Sequence, residues 1–590
     1  MLELPNISGL IVACDTETSG LHVDDGARVS AVSIAYRHNN ELVVSVFPVD
    51  HGPLDKPNIT PSLFDTDDNC SQEEWIQLID WLSKQRLVFH KMYFDLQILN
   101  KGHRKWGHGK DLLMQTVWDT KLAAWVINPL ESSALKDIGE KLWGEDAKAE
   151  QNELKPYLKK NGNRFDLVPW SVVGPYAARD AEMTLGLYEH QMQVVADRDD
   201  LLQHIELEID VARTLTKMSY RGIGYNVAKS KMEGKRAQAL MQLVDADLPF
   251  SPPTPTEARK YFYDVEGAIP HCVTAKTNKP SVSECCIRSL IQQGVPGADL
   301  YATRQKIMHA IGTYYEGYVN AAGEDDRIRT DWKQDGTVTM RFSSNRVNLQ
   351  ALPHEHQTER LEGIVPPRSL FQAMTNWELW EFDLAQAEAR VAAKYAGCQA
   401  WLDMFDDGRD LHSETSIRLF GDAEFEHRQV AKRANFSLIY GVGPATFSRA
   451  VEKFTGIKLL DAEAKKIVNE WRQMYPEFPA VNKRAELVAQ QRGYVLLADG
   501  RRRYFQPYEE LHKAFNAVIQ GSIAQFVKRW MVGVDDDERA RVLLQIHDSL
   551  VVEIPVEHMD TTVRAIMEFG SVKATEFFGV PMYSEAKRWK

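Results

Sequence analysis

The sequence predicts a multidomain chain that mixes α/β and α+β parts. Three observations lead there. The chain has 590 residues, and at roughly 100–200 residues per domain that length makes about three to five domains. Strand-like and helix-like periodicities alternate through the first ~190 residues and again after about 330. Between them a helical pattern runs from about 200 to 245 and ends at the Pro-rich SPPTPTEARK (251–260), the clearest linker-like stretch.

Each element has its own local reason. GLIVACDTETSG reads as a strand entering a polar turn, and RVSAVSIAYRHNNELVVSVFP as a hairpin turning at His38-Asn39-Asn40. SQEEWIQLIDWLSKQ opens with a capping box, Ser71 to Glu74, and carries an apolar helical stripe. RLVFH followed by YFDLQILNKG reads as strand then helix. WELWEFDLAQAEARVAAKYAG alternates as a strand up to Asp383 and then turns helical, and about 400–490 is mostly helical. RVLLQIHDSLVVEIP is apolar on both sides of His547-Asp548-Ser549, as in a hairpin with the acid at its tip.

With 44% hydrophobic and 26% charged residues, the composition excludes disordered and fibrous architectures. No apolar run approaches the ~18–20 residues that span a bilayer, so no membrane partner is expected. The N-terminus, MLELPNISGLIVACDTE, lacks a basic n-region and its apolar run stops at Asp15, unlike a secretory signal or transit peptide. The six cysteines (Cys14, Cys70, Cys272, Cys285, Cys286, Cys398) are dispersed with no CxxC pair. That predicts neither a zinc site nor a disulfide framework, and fits a reducing compartment. The net charge of −13, from 83 acidic and 70 basic side chains, argues by itself against a protein that coats nucleic acid through overall positive charge.

Two sets of carboxylates stand out. Asp15 and Glu17 sit where an apolar strand ends, two residues apart, so both project on one face. Asp95 opens a helix after an apolar strand, and in YAARDAEMTL Tyr176 lies one turn before Asp180. About three Asp-x-Glu triplets are expected by chance in such a chain, and a lone carboxylate at a strand end is usually a solvated charge or a cap. The second set is Asp383 and Asp548, two strand-end acids far apart in sequence, the minimum ligand set for a two-metal phosphoryl-transfer site. Between them, in HRQVAKRANFSLIYGVG, Arg428, Lys432, Phe436 and Tyr440 recur at i+4. Each step drifts about 40°, so the four share one helix face over about 18 Å. A basic stripe alone is usually a solvated face. Cations followed by two aromatic rings suit a nucleotide, with triphosphate oxygens on the cations and base and sugar on the rings.

Taken in order, DTE, HKMYFD and YAARD, with WDTKLAAWVINP between them, resemble the DEDD 3′–5′ exonucleases that proofread for family A DNA polymerases. The resemblance implies that Asp15, Glu17, Asp95 and Asp180 hold two divalent cations and that Tyr176 orients the attacking water. Two Mg²⁺ about 3.5–4 Å apart, or Mn²⁺ in their place, need that density of carboxylates for charge balance. Four residues before Asp95, where this family often has Asn, stands Lys91, which either contacts phosphate or is simply exposed. With all four acids present, an active nuclease is expected.

R-x3-K-x3-F-x3-YG is similar to the polymerase signature of the same family, DLAQAEAR to its motif A and QIHDSLVVEI to its motif C. TMRFSSNRVNLQALP, GYVLLADGRRR, FNAVIQGSIAQ and the C-terminal VPM…KRWK stand in family order. The resemblance covers essentially the whole chain. It implies an RNase H-like exonuclease domain (1–195) joined to a right-hand polymerase: thumb (196–330), palm (331–399), fingers (400–505) and second palm segment (506–590). This is the layout of a Klenow-type large fragment with no N-terminal 5′-nuclease domain expected, and the loose motif agreement suggests a phage or divergent bacterial enzyme. Its expected location is the cytoplasm, bacterial or of the host.

The same resemblance distributes roles. Asp383 and Asp548, with the backbone carbonyl of Leu384, bind two catalytic Mg²⁺. Arg428, Lys432 and His412 meet the triphosphate, and Lys432 is placed to protonate pyrophosphate. Phe436 stacks on the incoming nucleotide, where Phe rather than Tyr is associated with discrimination against dideoxynucleotides. Gln386 contacts the dNTP, and Tyr440 closes the templating site against Glu388, which stands at the steric gate against a ribose 2′-OH. Arg341, Asn348, Gln350, Asn516, Gln520 and His547 fall at DNA-contacting positions, where donors check pairing through minor-groove acceptors common to all base pairs. Two departures are Ser549, where motif C commonly has Glu, and His512, four before Asn516, where the bacterial enzymes have Arg. AKTNKPSVSE (275–284) reads as a thumb tip that grips backbone phosphates.

The expected partners are primer–template DNA and dNTPs, with a monomeric chain and no processivity partner legible. A lone exonuclease with a degenerate polymerase half would lack Asp383 or Asp548. A single-subunit RNA polymerase is opposed by Glu388 and the proofreading acids. A non-catalytic clamp would not keep two acid sets.

Overall fold

The computed structural model describes residues 2, 4–52, 69–101, 110–274, 278–353 and 363–589. Residues 275–277 of the expected thumb tip lie outside these. The chain divides into two compact units, one comprising Met1–Tyr220, Gln334–Phe342 and Glu486–Asp535, the other Arg221–Lys333, Ser343–Ala485 and Asp536–Lys590.

The first unit is built on a five-stranded sheet of β1 (Ile11–Thr18), β2 (Val29–His38), β3 (Glu41–Pro48), β4 (Arg86–Phe89) and β5 (Thr116–Asp119), in the order β3-β2-β1-β4-β5. β1 and β3 run antiparallel to β2, while β4 is parallel to β1 and β5 to β4. The β2–β3 turn places Asn39 and Asn40 at φ 51° and 67°, the left-handed pair that a two-residue hairpin needs and that Asn tolerates best. Ser71 and Glu74 form the expected capping box on Gln72–Leu82. β1 is covered on both faces. Val12 and Cys14 join Trp75 and Leu78 in one core. Ala13 and Ala35 meet Ala181 and Leu185 of the Trp170–Val195 helix in another, and their small side chains let that helix lie close on the strand.

The same unit contains the helix Asp199–Arg221, up to Tyr220, and the helix Ala514–Asp535. Glu208 of the first is fully buried and accepts from Lys528 Nζ at 2.6 and 2.9 Å and from Arg501 and Gln334. The Trp125 ring faces both cations, 4.5 Å from the Arg501 guanidinium and 5.2 Å from Lys528 Nζ. Burial alone would raise the Glu208 carboxyl, but Lys528 and Arg501 outweigh it and hold it at about 2. Removing one charge from such a cluster strands the others.

In the second unit β6 (Trp377–Leu384), β7 (Arg541–Ile546), β8 (Ser549–Pro555) and β9 (Ser584–Arg588) form an antiparallel sheet in the order β7-β8-β6-β9. A two-residue turn, His547-Asp548, joins β7 to β8, with His547 at φ 57°. Gln386, at φ 53°, turns the chain from β6 into the Ala387–Ala396 helix, and the expected helical block follows as helices from Gln399 to Arg492. No helix among the described residues is long and apolar enough to cross a membrane.

One cysteine expectation is corrected. Cys272 and Cys286 are joined as a disulfide, Cα atoms 6.5 Å apart. The intervening chain folds back on itself, with Val273 bridging Pro280 and Thr274 N–H donating to Lys279, a closure that sequence spacing does not reveal. Cys14, Cys70 and Cys398 are buried free thiols, and Cys285 is an exposed one.

Glu208→Gln is expected to cost about 3–5 kcal/mol, read as a lower urea midpoint for the transition of this unit. An unchanged midpoint would mean that Arg501 and Lys528 find other compensation.

Candidate active sites

The first site lies on the face of β1 that meets the Trp170–Val195 helix. Ala13, Asp15 and Glu17 alternate onto that face, so the residues that let the helix approach also aim the acids at it. Oxygens of Asp15, Glu17 and Asp180 all lie within 4.8 Å of one another. Asp95, on the Met92–Lys101 helix, stands beside them with Oδ1 accepting from the Thr16 N–H (3.1 Å) and hydroxyl (2.7 Å). Tyr176 lies one turn before Asp180 on the same helix, near enough that the carboxylate acts on its phenol.

Burial first, then Asp95 and Asp180, pushes the Asp15 carboxyl well above its ordinary range. Glu17 is raised likewise by burial, then by Asp15 and Asp180. Burial raises Asp95 to about 7 against the bonds from Thr16. Burial and Asp180 raise the Tyr176 phenol, keeping it protonated and able to donate.

Sequence reasoning missed Lys136. It is buried on the Leu135–Trp143 helix, pairs with Asp180 and lies 4.7 Å over the Tyr176 ring. Nothing in ALKDIGEKLW distinguishes it from a solvated lysine. Lys91 takes a left-handed φ of 82°, and its ammonium sits 5.5 Å from the Phe94 ring centroid. Such a backbone suits Asn, which gives a physical reason for the family's preference at this position.

The second site centres on Asp383, at the end of β6, and Asp548, in the β7–β8 turn. Asp383 accepts from the Leu384 N–H at 2.9 Å. Its side chain reaches solvent, yet the enclosing protein first, and Asp548 next, raise it to about 7. Both clusters are sets of oxygen donors whose ionised forms oppose one another, the chemistry that a hard divalent cation relieves. Ser549 Oγ lies 3.0 Å from Glu381 Oε1, and Glu381 Oε2 accepts from Arg368 at 2.7 Å. Glu381 was not singled out from the sequence.

The helix Phe425–Leu438 carries Arg428, Lys432 and Phe436. It ends before Tyr440, so the four-residue face expected on one helix is completed by the turn that follows. Tyr440 donates to Glu388 Oε2 at 2.7 Å. Arg428 is held by Asp410 Oδ2 (2.9 Å) and Ser413 Oγ (3.1 Å). Burial, then the nearby Arg433 and Arg428, lowers Lys432.

Burial holds the His412 ring at about 4, so it is neutral near pH 7. Trp471 donates to Asn435 Oδ1 at 2.8 Å, which turns the Asn435 amide nitrogen toward His412 Nδ1 at 3.1 Å. Nδ1 therefore accepts and Nε2 carries the proton, making His412 a fixed neutral donor. Asn435 and Trp471 carry no sequence signal for this role.

Of the expected DNA-contact residues, Asn348 accepts from Gln350 N–H, and Gln350 Nε2 donates to Gln545 Oε1 at 2.9 Å, next to His547. Arg341, Asn516 and Gln520 belong to the first unit. Asn516 Oδ1 is buried with no hydrogen-bond partner, and His512 is exposed.

Residues 228–588 match DNA polymerase family A. The chain belongs to that family. Residues 2–195 match a 3′-5′ exonuclease. DNA polymerase I of Pseudomonas aeruginosa is 26% identical over 98% of this chain and 62% of its own length. That of Bacillus subtilis is 24% identical over 76% of this chain and 52% of its own. This family A chain thus spans less than two thirds of the length of these relatives. The POL domain of Pol1 from M. smegmatis, solved with DNA primer-template and dNTP, shares the fold at a TM-score of 0.74 and 21% identity, over 99% of this chain and 95% of that one. The family A fold here joins an RNase H-like exonuclease domain to a right-hand polymerase.

With Asp95 and Asp383 near 7 in the metal-free protein, protons compete with cations below that pH. Excess Mn²⁺ is expected to raise the melting temperature more at about pH 8 than at about pH 6, and to release protons on binding. An equal rise at both would contradict the raised carboxyls.

Proposed function

We propose that the chain is a template-directed DNA polymerase that adds dNTPs to a primer 3′-OH and removes misincorporated ends by 3′–5′ exonuclease action, in replication or repair. What supports this reading is that Asp548, distant in sequence, lies close enough to raise the Asp383 carboxyl, and that Glu388, Tyr440 and the cationic Phe425–Leu438 helix belong to the same unit. Primer–template DNA and dNTPs are the partners, and the 1–195, 196–330, 331–399, 400–505 and 506–590 segments serve as exonuclease, thumb, palm, fingers and second palm segment.

Two divalent cations per site, Mg²⁺ or Mn²⁺, would lower the pKa of the attacking hydroxyl and offset charge on the leaving oxygen. Asp383, Asp548 and the Leu384 carbonyl would hold them in the polymerase site, and Asp15, Glu17, Asp95 and Asp180 in the nuclease site. Arg428, steadied by Asp410 and Ser413, and Lys432 neutralise the triphosphate. His412 donates a neutral hydrogen bond from Nε2 to the same phosphates. The depressed Lys432 ammonium is the readier acid for the departing pyrophosphate. Phe436 stacks on the base. Glu388, fixed by Tyr440, fills the space a ribose 2′-OH would need and so selects dNTPs, while Gln386 lines the same pocket. In the nuclease site the protonated Tyr176 orients the attacking water, and Lys136 stabilises the charge gathered around Asp180.

Primer extension with Asp383→Ala and Asp15→Ala as separate variants tests the assignment. Asp383→Ala is expected to lose extension and keep 3′-end degradation, and Asp15→Ala the reverse, each by at least about a hundredfold. Extension by Asp383→Ala, or degradation by Asp15→Ala, would overturn it. Glu388→Ala is expected to raise rNTP use relative to dNTP by at least about tenfold, read from competing single-nucleotide incorporation.

A further inference from the structure

Ser549 stands where the resemblance to motif C leads one to expect Glu. The sheet around it brings a different carboxylate to the same place. β6 and β8 pair in the register Glu381 with Val551 and Phe382 with Leu550, which brings Ser549 next to Asp383. Glu381 and Asp383, two apart on β6, project to the same face. The Ser549 hydroxyl has Glu381 Oε1 and the Ile546 carbonyl both at 3.0 Å. The carboxylate therefore reaches the side chain that stands where the acid is expected.

Its other oxygen is held just as specifically. Oε2 accepts from Arg368 Nη1 at 2.7 Å, and Arg368 is itself fixed by the Pro353 carbonyl at 3.0 Å and by the Trp589 ring at 4.6 Å. Arg368 is 5% exposed, so the carboxylate is anchored on one side and turned to the catalytic hairpin on the other.

We propose that Glu381 is the relocated third carboxylate of the Asp383–Asp548 centre, supplied from β6 instead of the β7–β8 hairpin. It acts as a positioning residue for the cation-binding acids. The two locations are mutually exclusive: a Glu at 549 would set its carboxylate against that of Glu381, losing a hydrogen bond and adding a like-charge contact, whereas Ser549 donates to it. The inference rests on the reading of Asp383 and Asp548 as the polymerase centre.

The test is Mn²⁺ binding to the full chain by electron paramagnetic resonance, in an Asp15→Ala background that removes one nuclease ligand, with the Mg²⁺ requirement of primer extension as a second readout. Glu381→Gln is expected to weaken Mn²⁺ binding and raise the half-saturating Mg²⁺ by roughly tenfold or more, with Glu381→Asp retaining most of both. Ser549→Glu alone is expected to impair both readouts, and Glu381→Gln with Ser549→Glu to recover them, so the two changes compensate instead of adding. If Glu381 only neutralises Arg368, Glu381→Gln lowers the melting temperature, leaves Mn²⁺ affinity unchanged and gains nothing from Ser549→Glu; that result overturns the proposal. Should Glu381→Gln fail to fold, Glu381→Asp and the double variant still decide, since additive losses contradict the exchange. Asp383→Ala separates the two levels. If it too leaves Mn²⁺ binding and extension unchanged, the polymerase-centre reading fails; if only Glu381→Gln does, this inference alone fails.

Discussion

Carboxylates held closer together than their charges favour are the constraint on which both sites depend. The oxygens of Asp15, Glu17 and Asp180 lie within 4.8 Å of one another, where two ionised acids repel by roughly 3–4 kcal/mol or more at an effective dielectric near 20. The fold imposes the proximity with rigid elements. In the nuclease site a strand, covered on both faces, meets a helix whose Ala181 packs on Ala13. In the polymerase site two adjoining strands end beside each other. A fixed cation stands near each cluster, Lys136 against Asp180 and Arg368 against Glu381 next to Asp383. Neither cation neutralises its whole cluster, and the remainder is what divalent cations would satisfy. The net charge of −13 therefore partly reflects acids gathered into clusters, and says little about whether a nucleic acid is the partner.

The groups proposed to meet the nucleotide are arranged in advance. Arg428 is tied to Asp410, His412 is set in one tautomer by Asn435, and Asn435 is set in turn by Trp471. Donors fixed before the substrate arrives cost little reorganisation during reaction. The buried Glu208 cluster does the same on a larger scale, binding Arg501 and the helix that carries Asn516 and Gln520 to the core of the first unit.

What was legible in the sequence was whatever local periodicity encodes. The alternation of β1 exposed Asp15 and Glu17, Asn39-Asn40 marked a hairpin, Ser71 and Glu74 marked a helix start, and apolar runs flanking His547-Asp548 marked the turn that carries Asp548. The residues that were not legible act through contacts distant in sequence. Lys136 and Asp180 are 44 residues apart, and Ser549 and Glu381 are 168 apart. Nothing in WELWEF sets Glu381 apart from an ordinary strand acid, and only the register of β6 and β8 shows that it meets Ser549. The Cys272–Cys286 link escaped for a similar reason, since only the fold-back of the chain between them brings the sulfurs together.

The central claim is that this chain carries two separate acid clusters, each built to hold divalent cations. Anomalous diffraction from crystals equilibrated with Mn²⁺ tests it most directly. The account predicts strong peaks at two places, one against Asp15, Glu17 and Asp180 and the other against Asp383 and Asp548. Ordered Mn²⁺ at only one of them, or peaks away from both, would contradict it.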